Sequence, residues 1–176
     1  MTAFMAGRTM PLALAATMAG GTMALALTLD TDMVEQWRMA ARWTARIGFP
    51  LFIIAFTASA LVRLWPTAIT RAIVARRRQW GLAFALTHTI HLGALLTYLA
   101  VSGEQRPVPT LIGGALGYIA LLAMAATSNN ASQHALGAQG QRLHSVGAYI
   151  LWFIFTFSYA GRIMRPDAMM VGIIGV

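Results

Sequence analysis

Four histidines are the side chains of this protein best suited to chemistry, and two of them stand inside an apolar run. His88 and His91 occur in WGLAFALTHTIHLGALLTYLAV, residues 80–101, and their spacing places them about one turn apart on one face of a helix. His144 opens a later apolar stretch, whereas His134 falls in the polar segment NNASQHALGAQGQ and is predicted to be a solvated loop residue. A polar ring is costly to bury in a membrane span without a partner, so His88, His91 and His144 are candidate site residues.

Imidazoles in apolar helices have three established uses. They serve as axial ligands of a b-type haem, they bind zinc, copper or iron, and they hydrogen-bond neighbouring helices. A non-haem metal site in a membrane usually draws on carboxylates as well, and none lies inside the apolar stretches. The haem interpretation is supported by nearby aromatic residues and by arginines at the ends of the stretches, which would pair with propionates. The aromatic residues are Phe84, Tyr98, Tyr149, Trp152 and Phe153, and the arginines are Arg76, Arg77, Arg78 and Arg142.

The elements that must position these residues are membrane helices. Of the 176 residues, 58% are hydrophobic and only 10% are charged, which is too apolar for one soluble core. The predicted fold class is all-α, a polytopic membrane helix bundle that forms a single transmembrane domain over residues 1–176. A span needs about 20 apolar residues, and five stretches qualify: Thr9 to Leu29, Trp43 to Trp65, Gln79 to Val101, Thr110 to Thr127 and Leu143 to Arg162.

Both ends of the chain carry a further apolar pattern. The first stretch also resembles a secretory signal, but its length favours a retained span. The tail MMVGIIGV after Asp167 is too short to cross a membrane, so it is a sixth helix cut short, a re-entrant piece or an interfacial end.

Charge predicts the orientation and excludes one class of partner. The connection from Pro66 to Arg78 is rich in arginine, whereas the connection from Asp30 to Arg42 mixes acidic and basic residues. The positive-inside rule therefore places the first of these, the N-terminus and the loop from Ser128 to Arg142 on the cytoplasmic side. The net charge of +8 sits beside apolar stretches, where membrane lipid explains it better than nucleic acid does. There is no cysteine, so thiolate ligands are excluded.

The third and fifth spans run in the same direction, so a histidine on each could hold one haem b between them. Depth along the helices, at about 1.5 Å per residue, favours His88 as the partner of His144. The metal ligands are thus His144 and either His88 or His91, the other histidine helping through a hydrogen bond.

Two longer motifs resemble the ferric reductase-like transmembrane domain family, in particular the haem-binding membrane subunit of the periplasmic methionine sulfoxide reductase system. They are RRRQWGLAFALTHTIHLGALLTY and GYIALLAMAATSNNASQHALGAQGQRLHSVGAY. The resemblance covers roughly residues 32–162, and it favours His91 as the ligand on the third span. The matching positions are Arg77-Arg78, Gly81-Leu82 and His91, then Ala126-Thr127-Ser128, Leu136-Gly137 and Leu143-His144 with Tyr149.

The resemblance implies an electron-transfer protein. Phe157 stands where family members commonly carry another histidine, so one haem is expected and a second is not. The chain has no nucleotide-binding glycine motif, so its reducing power must come from elsewhere. The resemblance implies quinol or a separate flavin reductase as the donor and a periplasmic oxidoreductase as the acceptor. The alternative is a non-redox scaffold or transport-accessory subunit whose histidines only join helices.

Overall fold

The computed structural model describes residues 2–163, and this part of the chain is helical without any strand. Five of its helices are long and apolar enough to cross a membrane, which confirms the predicted fold class and makes the chain an integral membrane protein. The apolar tail after Asp167 lies outside the described residues. The helices are α1 (Thr2–Ala26), α2 (Met33–Leu64), α3 (Ala68–Ala75), α4 (Arg77–Ser102), α5 (Val108–Ala126) and α6 (Asn130–Ile163).

The chain forms two compact units, Met1–Gln105 and Arg106–Val176. In the first, α2 packs along α4, and α1 packs against both. Their contact is built from small side chains, because Ala26, Ala40, Ala41 and Ala94 are all buried where the helices meet. Small residues let helix backbones approach closely, which is how helices associate in lipid. Many large apolar side chains, by contrast, are exposed on the outside of the spans, where lipid would cover them.

Polar caps start two helices outside the predicted apolar stretches. The side chain of Asp32 accepts a hydrogen bond from the Val34 amide at 3.2 Å, so α2 begins ten residues before Trp43. Within the predicted connection from Pro66 to Arg78, Thr67 and Thr70 form a reciprocal capping box that starts α3.

The second unit is a pair of helices, α5 and α6. Gly117 lies against Ile154, and Gly147 lies against Met124, so glycines on each helix receive side chains from the other. The prediction of a loop from Ser128 to Arg142 is wrong, since Asn129 accepts a hydrogen bond from the Ser132 amide at 2.8 Å and caps a helix there. That helix bends at Gly137, whose φ of 49° and ψ of −121° are not helical.

Candidate functional site

The ring of His91 is held against α2 by a backbone carbonyl. Its Nδ1 lies 2.9 Å from the carbonyl oxygen of Ala41. A carbonyl only accepts hydrogen bonds, so Nδ1 carries the proton in this contact and a neutral ring keeps its lone pair on Nε2. A histidine that binds iron or zinc through Nε2 has this arrangement, in which the other ring nitrogen donates to a carbonyl or carboxylate. The contact with Ala41 therefore leaves the lone pair of a neutral His91 ring on Nε2.

A buried hydroxyl on α2 supports this contact. Thr44 is fully buried, and its Oγ1 lies 3.4 Å from Nδ1 of His91. The hydroxyl donates its own proton to the Ala40 carbonyl at 2.7 Å, so its oxygen is left to accept from His91. The imidazole thus faces two acceptors on α2, and both favour the same tautomer.

His88 packs against α2 one turn away from His91. The two imidazole ring centroids are 5.3 Å apart, as the spacing predicts for one helix face. The His88 ring also packs against Phe84, at 4.6 Å between centroids, and Phe84 in turn packs on Phe52 of α2. A β-carbon added at Gly48 would lie 2.9 Å from Cε1 of His88, so the ring occupies space that only a glycine leaves open.

His144 makes the corresponding contact in the second unit. Its Nε2 lies 3.1 Å from Oγ1 of Thr127, the residue that follows α5. The Thr127 hydroxyl donates to the Ala123 carbonyl at 2.8 Å, which leaves its oxygen to accept from His144. His144 therefore links α5 to α6, and in this conformation its Nε2 is engaged with Thr127.

The other predicted residues have less defined surroundings. Arg77 donates from Nε to the carbonyl of Ala55 at 2.9 Å, which ties the start of α4 to α2. The side chains of Arg78 and Arg142 are exposed, and the propionate-binding role of the three arginines stays a prediction. His134 is exposed as predicted, although it stands on a helix rather than in a loop.

Three aromatic residues predicted to surround a cofactor have exposed side chains. They are Tyr149, Trp152 and Phe153, and the first and last line an apolar cleft of about 510 Å³ between α5 and α6. Phe84 and Tyr98, by contrast, are buried in the first unit. Of these aromatic residues, Phe84 contacts a histidine ring, that of His88, at 4.6 Å between centroids.

Sequence reasoning missed the residues that orient the histidines, namely Ala41, Thr44, Gly48 and Thr127. Thr44 and Gly48 are spaced four apart on the second span, so they share a face with Ala41. A run of small and hydroxyl residues on one face was the signal that this face receives another helix.

Comparisons with known proteins add no family and no fold. No protein-family model matches the chain, and no solved structure matches it. Within the described part of the chain, no group of three His, Asp or Glu side chains comes together, so these residues offer no ordinary three-ligand metal site.

Proposed function

We propose that this chain is a b-type haem membrane protein that carries electrons across or within the membrane to a partner oxidoreductase. The observation that carries the proposal is the His91 ring, whose Nδ1 donates to the Ala41 carbonyl and whose Nε2 keeps its lone pair. His144 is the second axial ligand on the sequence pattern, and His88 supports His91. His91 and His144 would hold the haem, which would supply one-electron chemistry.

The side chains around His91 fit such a group. Ala41 and Thr44 fix the tautomer and the ring direction, a role that neighbouring groups commonly play at metal sites. The surrounding helices are apolar, and the acidic residues of the sequence all lie outside the central parts of the spans. Nε2 of His144, which contacts Thr127 at 3.1 Å in this structure, would hold the haem in the proposal.

The proposed setting is the bacterial inner membrane, with the N-terminus in the cytoplasm. The electron donor would be quinol or a separate flavin reductase, and the acceptor a periplasmic oxidoreductase. Arg77, Arg78 and Arg142 would pair with the propionates as forked cations. This assignment follows the resemblance to the ferric reductase-like transmembrane domain family.

An absorption spectrum of the purified full-length protein tests the proposal. After expression with added haem precursor, we expect a sharp Soret band that shifts on reduction with dithionite. His91→Ala and His144→Ala should each abolish or alter this low-spin spectrum, whereas His134→Ala should leave it unchanged because that side chain is exposed. His88→Ala should shift the bands without removing the pigment. A protein that stays colourless under these conditions would overturn the haem assignment.

A second candidate function is a non-redox scaffold whose histidines join helices. It is favoured by the fact that His91 and His144 each hydrogen-bond another helix or its end. In this case His91→Ala and His144→Ala would lower stability, and the wild-type protein would carry no pigment. The two candidates therefore differ in the spectrum of the unaltered protein.

A further inference from the structure

One end of the first unit carries exposed apolar and basic residues together. We call this surface the α2–α3 tip and define it as Arg63, Leu64, Trp65, Ile69 and Arg71. The exposed fractions of Leu64, Trp65 and Ile69 are 66%, 60% and 72%. Both arginines are exposed as well. The tip therefore presents three large apolar side chains and two cations on one short segment.

The tip extends past the start of the neighbouring span. Phe52 of α2 packs beside Phe84 of α4. From this level α2 continues to Leu64, whereas α4 begins at Arg77, so α2 extends about five residues further. At a rise of about 1.5 Å per residue this is about 7 Å, close to the thickness of the headgroup layer on one side of a bilayer, which is about 5–8 Å.

Nothing acidic in the nearby sequence can neutralise this end. No Asp or Glu occurs between Glu35 and Glu104, while five arginines lie within residues 63–78. The described ion pair between Arg38 and Glu35, at 2.5 Å, belongs to the other end of α2. Anions for the tip must therefore come from outside this part of the chain, and its apolar side chains need a cover as well.

We infer that the α2–α3 tip binds anionic phospholipid. Arg63 and Arg71 contact headgroup phosphates, while Trp65 and Ile69 enter the boundary between headgroups and acyl chains. Anionic phospholipid would cover the apolar side chains and neutralise the arginines. A basic amphipathic segment binds a membrane in this way, through apolar burial together with attraction to anionic lipid. Tryptophan is also the residue most typical of the membrane–water interface. The α3 helix, fixed at its start by the Thr67 capping box, holds Ile69 and Arg71 in place.

The lipid retained by the full-length protein tests this inference. The protein is reconstituted in vesicles with equal phosphatidylglycerol and phosphatidylcholine, extracted in mild detergent, and its bound lipid is measured by mass spectrometry. We expect phosphatidylglycerol to be enriched over phosphatidylcholine in the wild type. Arg63→Gln/Arg71→Gln should lower the enrichment by up to about 25-fold, since each of the two basic residues near the surface contributes about fivefold. The control Arg38→Gln/Arg42→Gln removes the same charge from the other end of α2 and should keep the enrichment.

A second readout does not depend on neutralising arginines. Tryptophan fluorescence is compared between the wild type and Trp65→Phe in vesicles that contain brominated phosphatidylglycerol or brominated phosphatidylcholine. The difference in quenching between the wild type and Trp65→Phe reports the contribution of Trp65. This difference should be larger with brominated phosphatidylglycerol than with brominated phosphatidylcholine. It should decrease in 0.5 M salt, because salt screens exposed charges. Equal quenching by the two lipids, or equal loss of enrichment in both double variants, would overturn the inference and leave the tip as a surface for a protein partner.

Discussion

At the scale of single residues, the histidines are arranged by groups that have little chemistry of their own. A carbonyl at Ala41 and a hydroxyl at Thr44 select the tautomer of His91, and the missing side chain of Gly48 admits the ring of His88. Metal sites are tuned in this way, through the neighbours of the ligands. The same contacts also hold α2 to α4, so changes here affect stability and the proposed ligand together.

The Gly48→Ala substitution should destabilise the protein. The added β-carbon would meet the His88 ring, which is confined between α2 and Phe84 and cannot move aside easily. Overpacking of this kind costs about 1–3 kcal/mol, measured as the free energy of unfolding in reversible SDS titrations followed by circular dichroism. Gly93→Ala is the matched control on α4, because its β-carbon would meet no atom within 4 Å. Equal stability of the two variants would show that His88 does not occupy this space.

Thr44→Val should have a smaller effect. Valine keeps the shape of threonine, so the change removes only the oxygen that faces Nδ1 of His91. Hydrogen bonds between membrane helices are worth about 0.6 kcal/mol on average, and we expect a loss of that order in the same unfolding titration. Thr57→Val is the control, since Thr57 also donates to its own helix, at 2.7 Å from the Ile53 carbonyl, but has no histidine beside it. If both valine variants lose the same stability, the Thr44 contact contributes nothing to holding His91.

At the scale of helices, apolar length predicted the five spans but not their ends. Hydropathy reports where lipid covers a helix, whereas Asp32 and Asn129 start α2 and α6 through polar caps outside the apolar runs. The shared face of His88 and His91 followed from spacing alone. The residues of α2 that contact these histidines could not be predicted in this way. Pairing between helices depends on small residues, and one pattern of small residues fits many neighbouring helices.

The bend in α6 gives a prediction at this scale. Gly137 has a φ of 49° and a ψ of −121°, a combination that residues with a β-carbon rarely adopt. Gly137→Ala should therefore cost about 1–3 kcal/mol. Gly161→Ala provides a control on the same helix, where the added carbon would meet no atom within 4 Å. The thermal unfolding midpoint should therefore fall in Gly137→Ala and stay unchanged in Gly161→Ala. An unchanged midpoint for Gly137→Ala would show that the bend does not need glycine.

At the scale of the whole molecule, the distribution of arginine is the strongest pattern in the chain. Five arginines occupy residues 63–78, a segment without any acidic residue, while Asp30, Asp32 and Glu35 stand near the connection between α1 and α2. Basic connections are retained on the cytoplasmic side during insertion. The proposed orientation, the inferred lipid binding of the α2–α3 tip and the side from which the proposed donor would approach all depend on this asymmetry.

The absence of cysteine makes the orientation directly measurable. Single cysteines would be introduced at exposed positions in four connections or flanking turns, as Thr31→Cys, Gln105→Cys, Ala68→Cys and Gln133→Cys. Because successive spans alternate in direction, an impermeant maleimide added to intact spheroplasts should label the cysteines at positions 31 and 105. Those at positions 68 and 133 should react only after lysis. The reverse pattern would place the arginine-rich end outside, and it would move the proposed electron donor to the periplasmic face while leaving the ligands of the haem unchanged.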